Sequence, residues 1–359
     1  MASLPRSGTT AGAHRSSLAN PMSQPTSAPS GQRVIVAAFG GNAVTRSTER
    51  GTNPEQLANV RVMCEEVLPL ILAGHRVAII HGNGPQVGAL ALQVEAGQAL
   101  GVADQPFDVL GAMTQGQIGY LIQQTMGNVL LEATHRSRSN GASVLGAIPP
   151  IASVVTQVVV DPSDQAFQHP TKPIGPFYER ELAERLAAEK GWTVVKDADR
   201  GWRRVVPSPQ PIEVVEAAAI RALIAAGSIV IAGGGGGVPV VREPDGRLRG
   251  VEAVIDKDLA AERLAALVGA DTLLLITGVR RIGLDYGTAT QRDLDVITLD
   301  DARRLLADGQ FPPGSMGPKV KAAIRFLEDG GREAIVTAPE ALAAALLGTD
   351  GTRIVHGVA

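Results

Sequence analysis

"VIVAAFGGNAV", residues 34 to 44, is a strand-like apolar run that empties into Gly40, Gly41 and Asn42. A glycine pair straight after a buried strand lets backbone N–H groups approach a ligand closely, and phosphate is the commonest such ligand. Yet no lysine stands in or beside this loop, and none occurs before Lys172. If the loop holds a phosphate, the opposing positive charge has to arrive from elsewhere in the chain.

The pattern recurs downstream. "RVAII" (76–80) runs into "HGNGPQVG" (81–88), and "SIVIA" (228–232) runs into Gly233 to Gly237. Between these strands lie helical patterns. A first strand over 33–39 precedes a helix capped by Asn53 with Pro54 at its first position, running to Gly74. Pro85 opens another, and a third covers about 108–134. After a strand at 154–160, residues 161–211 gather prolines, charges and both tryptophans, with a short helix near 178–190; they read as a subdomain or flap. Helix 212–226, a strand near 251–255, helix 256–268, strand 272–277, two helices, strand 333–337 and a last helix and strand complete the series. Strands alternating with helices predict an α/β fold with a mostly parallel sheet covered on both faces. In such a sheet all three glycine loops gather at the edge where strand C-termini lie, which is where ligands bind. One glycine after a strand is more often a plain turn; three on one edge carry more weight.

Composition narrows the partners. The 359 residues suffice for a large core, the net charge is −3, and aromatics make up only 3%. There is no electrostatic reason to bind nucleic acid or an anionic membrane, and no supply of base-stacking platforms. Residues 139–160 carry no charge, but Pro149-Pro150 and scattered polar residues make them two buried strands and a turn rather than a membrane span. The single cysteine, Cys64, excludes an intrachain disulfide and sits in an amphipathic pattern that assigns it to the core; a cytoplasmic setting fits. Residues 1–32, rich in Ser, Thr, Pro and Ala with no acid before Glu49, predict a disordered tail; an organelle transit peptide is the alternative, and Met22 offers a second start.

Motifs exclude several chemistries. There is no GxxxxGK[ST], "GNGPQVG" lacks the dinucleotide spacing, and the six histidines form no metal-binding pattern. Lysine is the informative residue, since only six of the 33 basic residues are lysine. Lys190, Lys196 and Lys321 read as surface positions. Lys172 lies between prolines on a stiff backbone, as a rigid loop or as an arm reaching an anion. Lys257 stands between Asp256 and Asp258 at a helix start, where Asp256 capping the helix and a simple ion pair would account for it. Lys319 follows Gly314, Gly317 and Pro318 at another helix start; there its charge opposes the helix dipole, and a bound phosphate would explain it.

Taken together, "GGNA", "HGNGPQVG", "DVLGAMTQGQIGY", "PTKPIGPFY", "GWRRVVPSP", "AGGGGGVPVV", "GVEAVIDKD" and "GSMGPKV" resemble the carbamate kinases of the amino acid kinase family, in order from about residue 33 to the C-terminus. The resemblance implies a three-layer αβα sandwich with a protruding subdomain (about 161–211), an N-lobe of about 33–240, a nucleotide lobe of about 241–359, and a homodimer. It implies reversible transfer of phosphoryl between ATP and carbamate with Mg2+, often run toward ATP in arginine breakdown, with the metal carried on the nucleotide phosphates. It supplies the missing charge from Lys172, Lys257 and Lys319, with Asp258 holding the lysines. Gly40, Gly41, Asn42, Gly82, Asn83 and Gly84 would bind the acceptor and the moving phosphoryl group. Gly234, Gly235, Gly236, Thr277, Tyr286, Met316 and Gly317 would face the nucleotide. Two departures are visible: Gln165 where proline is usual, and Gly278 where aspartate is expected. A relative acting on another small carboxylate, or a silent nucleotide-binding regulator, are the other classes considered.

Overall fold

The computed structural model describes residues 31–46, 48–98, 100–139, 147–196, 201–312 and 314–357; of the expected tail, residues 1–30 lie outside these. Along Val34–Phe39 the side chains alternate between two cores. Ile35, Ala37 and Phe39 enter one, and Val36 and Ala38 enter the other. A strand covered on both faces has no polar side, which is why this run is continuously apolar.

Eight strands form the central sheet, in the order Val296–Thr298, Thr352–Val355, Glu333–Thr337, Thr272–Ile276, Val34–Phe39, Arg76–His81, Ile229–Ile231, Ile151–Ser153. The last six run parallel to one another, while Thr352–Val355 pairs antiparallel with Glu333–Thr337. Helices Asn53–Leu72, Phe107–Ser139 and Leu342–Leu347 fill one face. Helices Ala217–Ala225, Lys257–Val268, Leu299–Ala307 and Met316–Glu328 fill the other, giving the αβα sandwich. Cys64 is wholly buried in the first core, and burial pushes its thiol up to about 12, so it is an inert filler.

Besides the short antiparallel pair Ile282–Leu284 with Arg292–Leu294, two smaller sheets stand on this frame. Leu248–Gly250, Val238–Arg242, Gln157–Val160 and Pro211–Val214 form one, contributing Val158, Val160, Val214 and Val241 to the second core. Lys172–Tyr178, Trp202–Val206 and Thr193–Lys196 form an antiparallel flap with helix Arg180–Lys190. Where the flap meets the body, Val87, Phe107, Leu110, Ile174 and Val206 make a third, small core.

Several expected boundaries change. Thr52 rather than Asn53 is the cap of the first helix, with its N–H donating to the Glu55 carboxylate at 2.8 Å, a capping-box contact. The stretch expected to be helical from 212 begins as the strand Pro211–Val214, because its apolar residues find a partner in Gln157–Val160. Residues 251–255 form no strand; the hairpin Val238–Arg242 with Leu248–Gly250 precedes them, turned by "EPDG" at 243–246.

The first two glycine loops touch backbone to backbone. A Cβ on Gly82 would stand 2.6 Å from both Cα and N of Gly41, whereas one on Gly84 would meet nothing within 4 Å. Gly82→Ala is therefore expected to lower folding stability by about 1–3 kcal/mol in chemical denaturation, while Gly84→Ala stays near wild type; equal midpoints for the two variants would show that the loops are not in contact.

Candidate active site

Strands Val34–Phe39, Arg76–His81 and Thr272–Ile276 lie side by side and end in Gly40-Gly41, Gly82-Asn83 and Thr277-Gly278. The neighbouring Ile229–Ile231 leads to the run of glycines from Gly233. Because these strands are parallel, their loops open on one edge, around a cleft of about 500 Å3. Three helices also begin there: Gly84–Gln98, Lys257–Val268 and Met316–Glu328. Helix starts present unpaired N–H groups and the positive end of the dipole, so their convergence favours an anion before any side chain is counted.

Lysines add to that field. Lys257 Nζ donates to Asp258 Oδ1 at 2.5 Å, and Lys319 Nζ donates to Asp258 Oδ2 at 3.0 Å. One carboxylate thus serves two ammoniums. Across the cleft, Lys172 Nζ from the flap donates to Asp256 Oδ2 at 2.9 Å. Asp256 Oδ1 accepts from Asp258 N at 2.9 Å, so Asp256 is the helix cap the sequence suggested and a lysine partner as well. Three cations face two carboxylates, leaving a net positive cleft. Burial lowers the Lys257 pKa, with Lys319 acting in the same sense against the pull of Asp258. For Asp258, burial opposes ionisation, but Lys257 and Lys319 outweigh it and hold the carboxyl below the ordinary carboxylate range.

Of the residues singled out in the sequence, Gly40, Gly41, Gly82, Asn83, Gly84, Gly235, Thr277 and the three lysines with Asp258 all line this cleft. Asn42 stands in the 3-10 turn Gly41–Ala43. Asn83 is largely committed within the wall, its Nδ2 donating to Thr114 Oγ1 at 2.9 Å. Thr277 also opens a second hollow of about 240 Å3, lined by Val279, Tyr286, Phe311, Pro312 and Met316 among others. Gly234, Gly236 and Gly317 lie behind the surface: a Cβ on Gly234 would meet the His81 ring at 2.4 Å, one on Gly236 the Ile255 carbonyl at 2.3 Å, and one on Gly317 the Pro312 carbonyl at 3.1 Å. Gly278 borders both hollows with open space at its Cβ position.

Sequence reading passed over two residues. Asp256 was visible only as a cap, since its partner lies 84 residues away on the flap. His81, at the end of its strand, is 1% exposed, and its Nδ1–H donates to the Gly82 carbonyl at 3.0 Å. Burial drives its pKa down to about 4, so it is a neutral prop under the glycine loops.

Cleft, loops and sandwich together define an enzyme that moves a phosphoryl group between small anions. A model of the amino acid kinase family matches residues 33–338, and the chain belongs to that family. It is 51% identical to the carbamate kinase of Thermococcus kodakarensis over 324 residues, covering 90% of this chain and 99% of the relative. It is 49% identical to that of Pyrococcus furiosus over 325 residues, with the same coverage. Among solved structures, carbamate kinase from Giardia lamblia bound to AMP-PNP superposes with a TM-score of 0.81 at 41% identity, covering 91% of this chain and 99% of that one.

The His81 geometry fixes a pH dependence. An unfolded histidine takes up a proton near 6.5, whereas the folded His81 does so only near 4. Between those values the unfolded state binds more protons at this site, so the His81 contribution falls as pH falls and Asp258 extends the loss to lower pH, whereas Glu262, whose carboxyl burial pushes up to about 7, acts in the opposite sense over the same range. The His81 contribution is expected to approach about 3 kcal/mol in denaturation series between pH 7 and 4. The readout is the difference between variant and wild type: His81→Gln should gain stability relative to wild type by that amount as pH falls from 7 to 4, and a difference independent of pH would mean that the imidazole is not held neutral.

Proposed function

We propose that the protein catalyses ATP + carbamate ⇌ ADP + carbamoyl phosphate, as its carbamate kinase relatives are named for. The observation that carries this reading is the Lys257–Asp258–Lys319 triad facing two glycine loops across a cleft where three helices start. A carbamate oxygen attacks the terminal phosphorus, the new O–P bond forms in line with the breaking bond to ADP, and no proton changes hands. Such a step needs positioning and cancellation of charge rather than a covalent nucleophile.

Roles follow from placement. Gly41, Asn42, Gly82 and Asn83 present backbone amides to carbamate and to the phosphoryl group in transit. Lys257 sits on the transferred group, Lys319 on the nucleotide phosphates, and Lys172 covers the acceptor side from the flap. Asp258 holds the two buried lysines and is not a base, because carbamate is already an anion. Thr277 and the hollow lined by Tyr286 and Met316 take the nucleoside end, placing the nucleotide over residues 241–359 and the acceptor over residues 33–240. Both cleft carboxylates are already engaged by lysine, so Mg2+ fits as a companion of the nucleotide phosphates, where it supplies charge neutralisation of the phosphates.

The assembly is a homodimer in this reading. On the outward side of helix Phe107–Ser139, Val109, Met113, Tyr120 and Leu131 are exposed apolar residues spaced as one helical stripe, next to the edge strand Ile151–Ser153. A second copy would cover it.

Two measurements test these statements. Purified protein given ADP, Mg2+ and carbamoyl phosphate should form ATP, and Lys257→Ala should lose at least about a hundredfold in kcat while remaining folded, as expected for removal of a transition-state charge; near-normal turnover would take Lys257 out of the mechanism. In sedimentation, the wild type should run at twice the 37.2 kDa chain mass, with Tyr120→Asp shifted toward the monomer; a monomeric wild type would end the dimer reading.

A further inference from the structure

We infer that Asp256 is a positioning residue, a latch that fixes the flap lysine over the cleft by the same carboxylate that starts the catalytic helix. The inference rests on the reading of Lys172 as a substrate contact. Its two oxygens have separate partners: Oδ1 accepts from Asp258 N at 2.9 Å, and Oδ2 accepts from Lys172 Nζ at 2.9 Å. The side chain of Asp256 is 16% exposed and that of Lys172 36%, so the pair stands at the cleft mouth.

The flap needs such a tie because its packing leaves room on both sides. Strand Lys172–Tyr178 has the active-site cleft before it and a second cavity of about 390 Å3 behind it, and Ile174 borders both. At the back, Lys190 pairs with Glu95 at 2.5 Å and Arg204 with Glu252 at 3.0 Å. These rear contacts anchor the flap to the body but do not reach the reacting groups. The Lys172–Asp256 pair joins the flap strand to the residue immediately before Lys257, so the position of the flap cation is set by the helix that carries Lys257. An arriving anion then meets Lys172 already placed instead of having to order a long, mobile side chain.

Asparagine separates the two duties of Asp256. It caps helices as well as aspartate does, but has only one oxygen. With that oxygen on Asp258 N, its NH2 faces the Lys172 ammonium, donor against donor. Asp256→Asn is therefore expected to keep wild-type thermal stability and kcat within about twofold, while the KM for carbamoyl phosphate rises about three- to fivefold, the upper range for one partly exposed ion pair. Asp256→Ser, whose hydroxyl caps but cannot span to the lysine, should behave the same way and covers the case in which the asparagine variant fails to fold. In the double variant Asp256→Asn/Lys172→Ala, KM should be no higher than in Lys172→Ala alone, because the latch acts only through the lysine. A wild-type KM in Asp256→Asn and Asp256→Ser, with Lys172→Ala impaired, would overturn the latch and leave the role of Lys172 standing. Losses that multiply in the double variant would overturn it too, by showing that Asp256 acts on its own. A Lys172→Ala enzyme with wild-type kinetics would overturn both the latch and the reading on which it rests.

Discussion

The site depends on one carboxylate bound by two ammoniums. Lys257 and Lys319 come from different helices, and both side chains are largely withdrawn from water, 14% and 10% exposed. Two cations brought together in such a place repel each other and lose hydration. Asp258, 5% exposed, makes the arrangement tolerable by giving one oxygen to each. It neutralises only one of the two charges, so the pair stays positive as a unit. Helices Lys257–Val268 and Met316–Glu328 both pack into the second core, so the spacing of the two ammoniums is set by apolar burial on one face of the sheet. Their N-terminal positions oppose the helix dipoles; Asp256 and Asp258 offset this at the start of Lys257–Val268, the first turn of Met316–Glu328 has no acid of its own, and an anion in the cleft relieves the opposition at both.

This division of labour explains how the opening glycine loop manages without a lysine of its own. At Gly41 and Gly82 two loops meet main chain to main chain, and at Gly235 (φ 68°) the third glycine loop turns against the Asn83 side chain. A Cβ at Gly82 or Gly235 would collide with its neighbour, so these crowded turns are built to offer backbone amides. Charge is delivered from the opposite wall by side chains long enough to cross the cleft. Backbone groups on the loop side fix where oxygens can lie; ammoniums on the helix side fix how much negative charge is welcome.

How much of this was legible in the sequence follows from the range of each interaction. Val34–Phe39, Arg76–His81 and Glu333–Thr337 were readable because burial on both faces forces an unbroken apolar run, a local property. The rarity of lysine marked Lys257, Lys319 and Lys172, and a positive charge at a helix start signalled a ligand before any geometry was known. What sequence could not carry was pairing at a distance. Pro211–Val214 is a strand because Gln157–Val160 lies beside it, and its own residues would equally suit a helix. Asp256 as a lysine partner and His81 as a buried prop depend on neighbours brought in by folding. Gly234, Gly235 and Gly236 are all expected from the sequence to face the nucleotide, yet of the run 233–237 only Gly235 lines the cleft, because Gly234 packs on His81 and Gly236 on Ile255.

The polarity of the two connected hollows also constrains the chemistry. The lysine cleft and the hollow lined by Phe311, Pro312 and Met316 share Thr277, Gly278 and Ser315, so a ligand with a charged end and a flat, less polar end can span them in only one direction. In the proposed function, that direction carries the phosphates toward Lys319 and Lys257 and leaves the space beside Gly41 and Gly82 for the second anion. The titratable groups are arranged to match. Asp258 is held ionised by its two lysines, Asp256 is shared between a helix cap and Lys172, and His81 is neutral and turned into the Gly82 carbonyl. A site tuned for proton transfer would keep one such group near its switching point and free to move its proton. Here each is spent on holding something in place, as suits a reaction in which an oxyanion attacks and an oxyanion leaves.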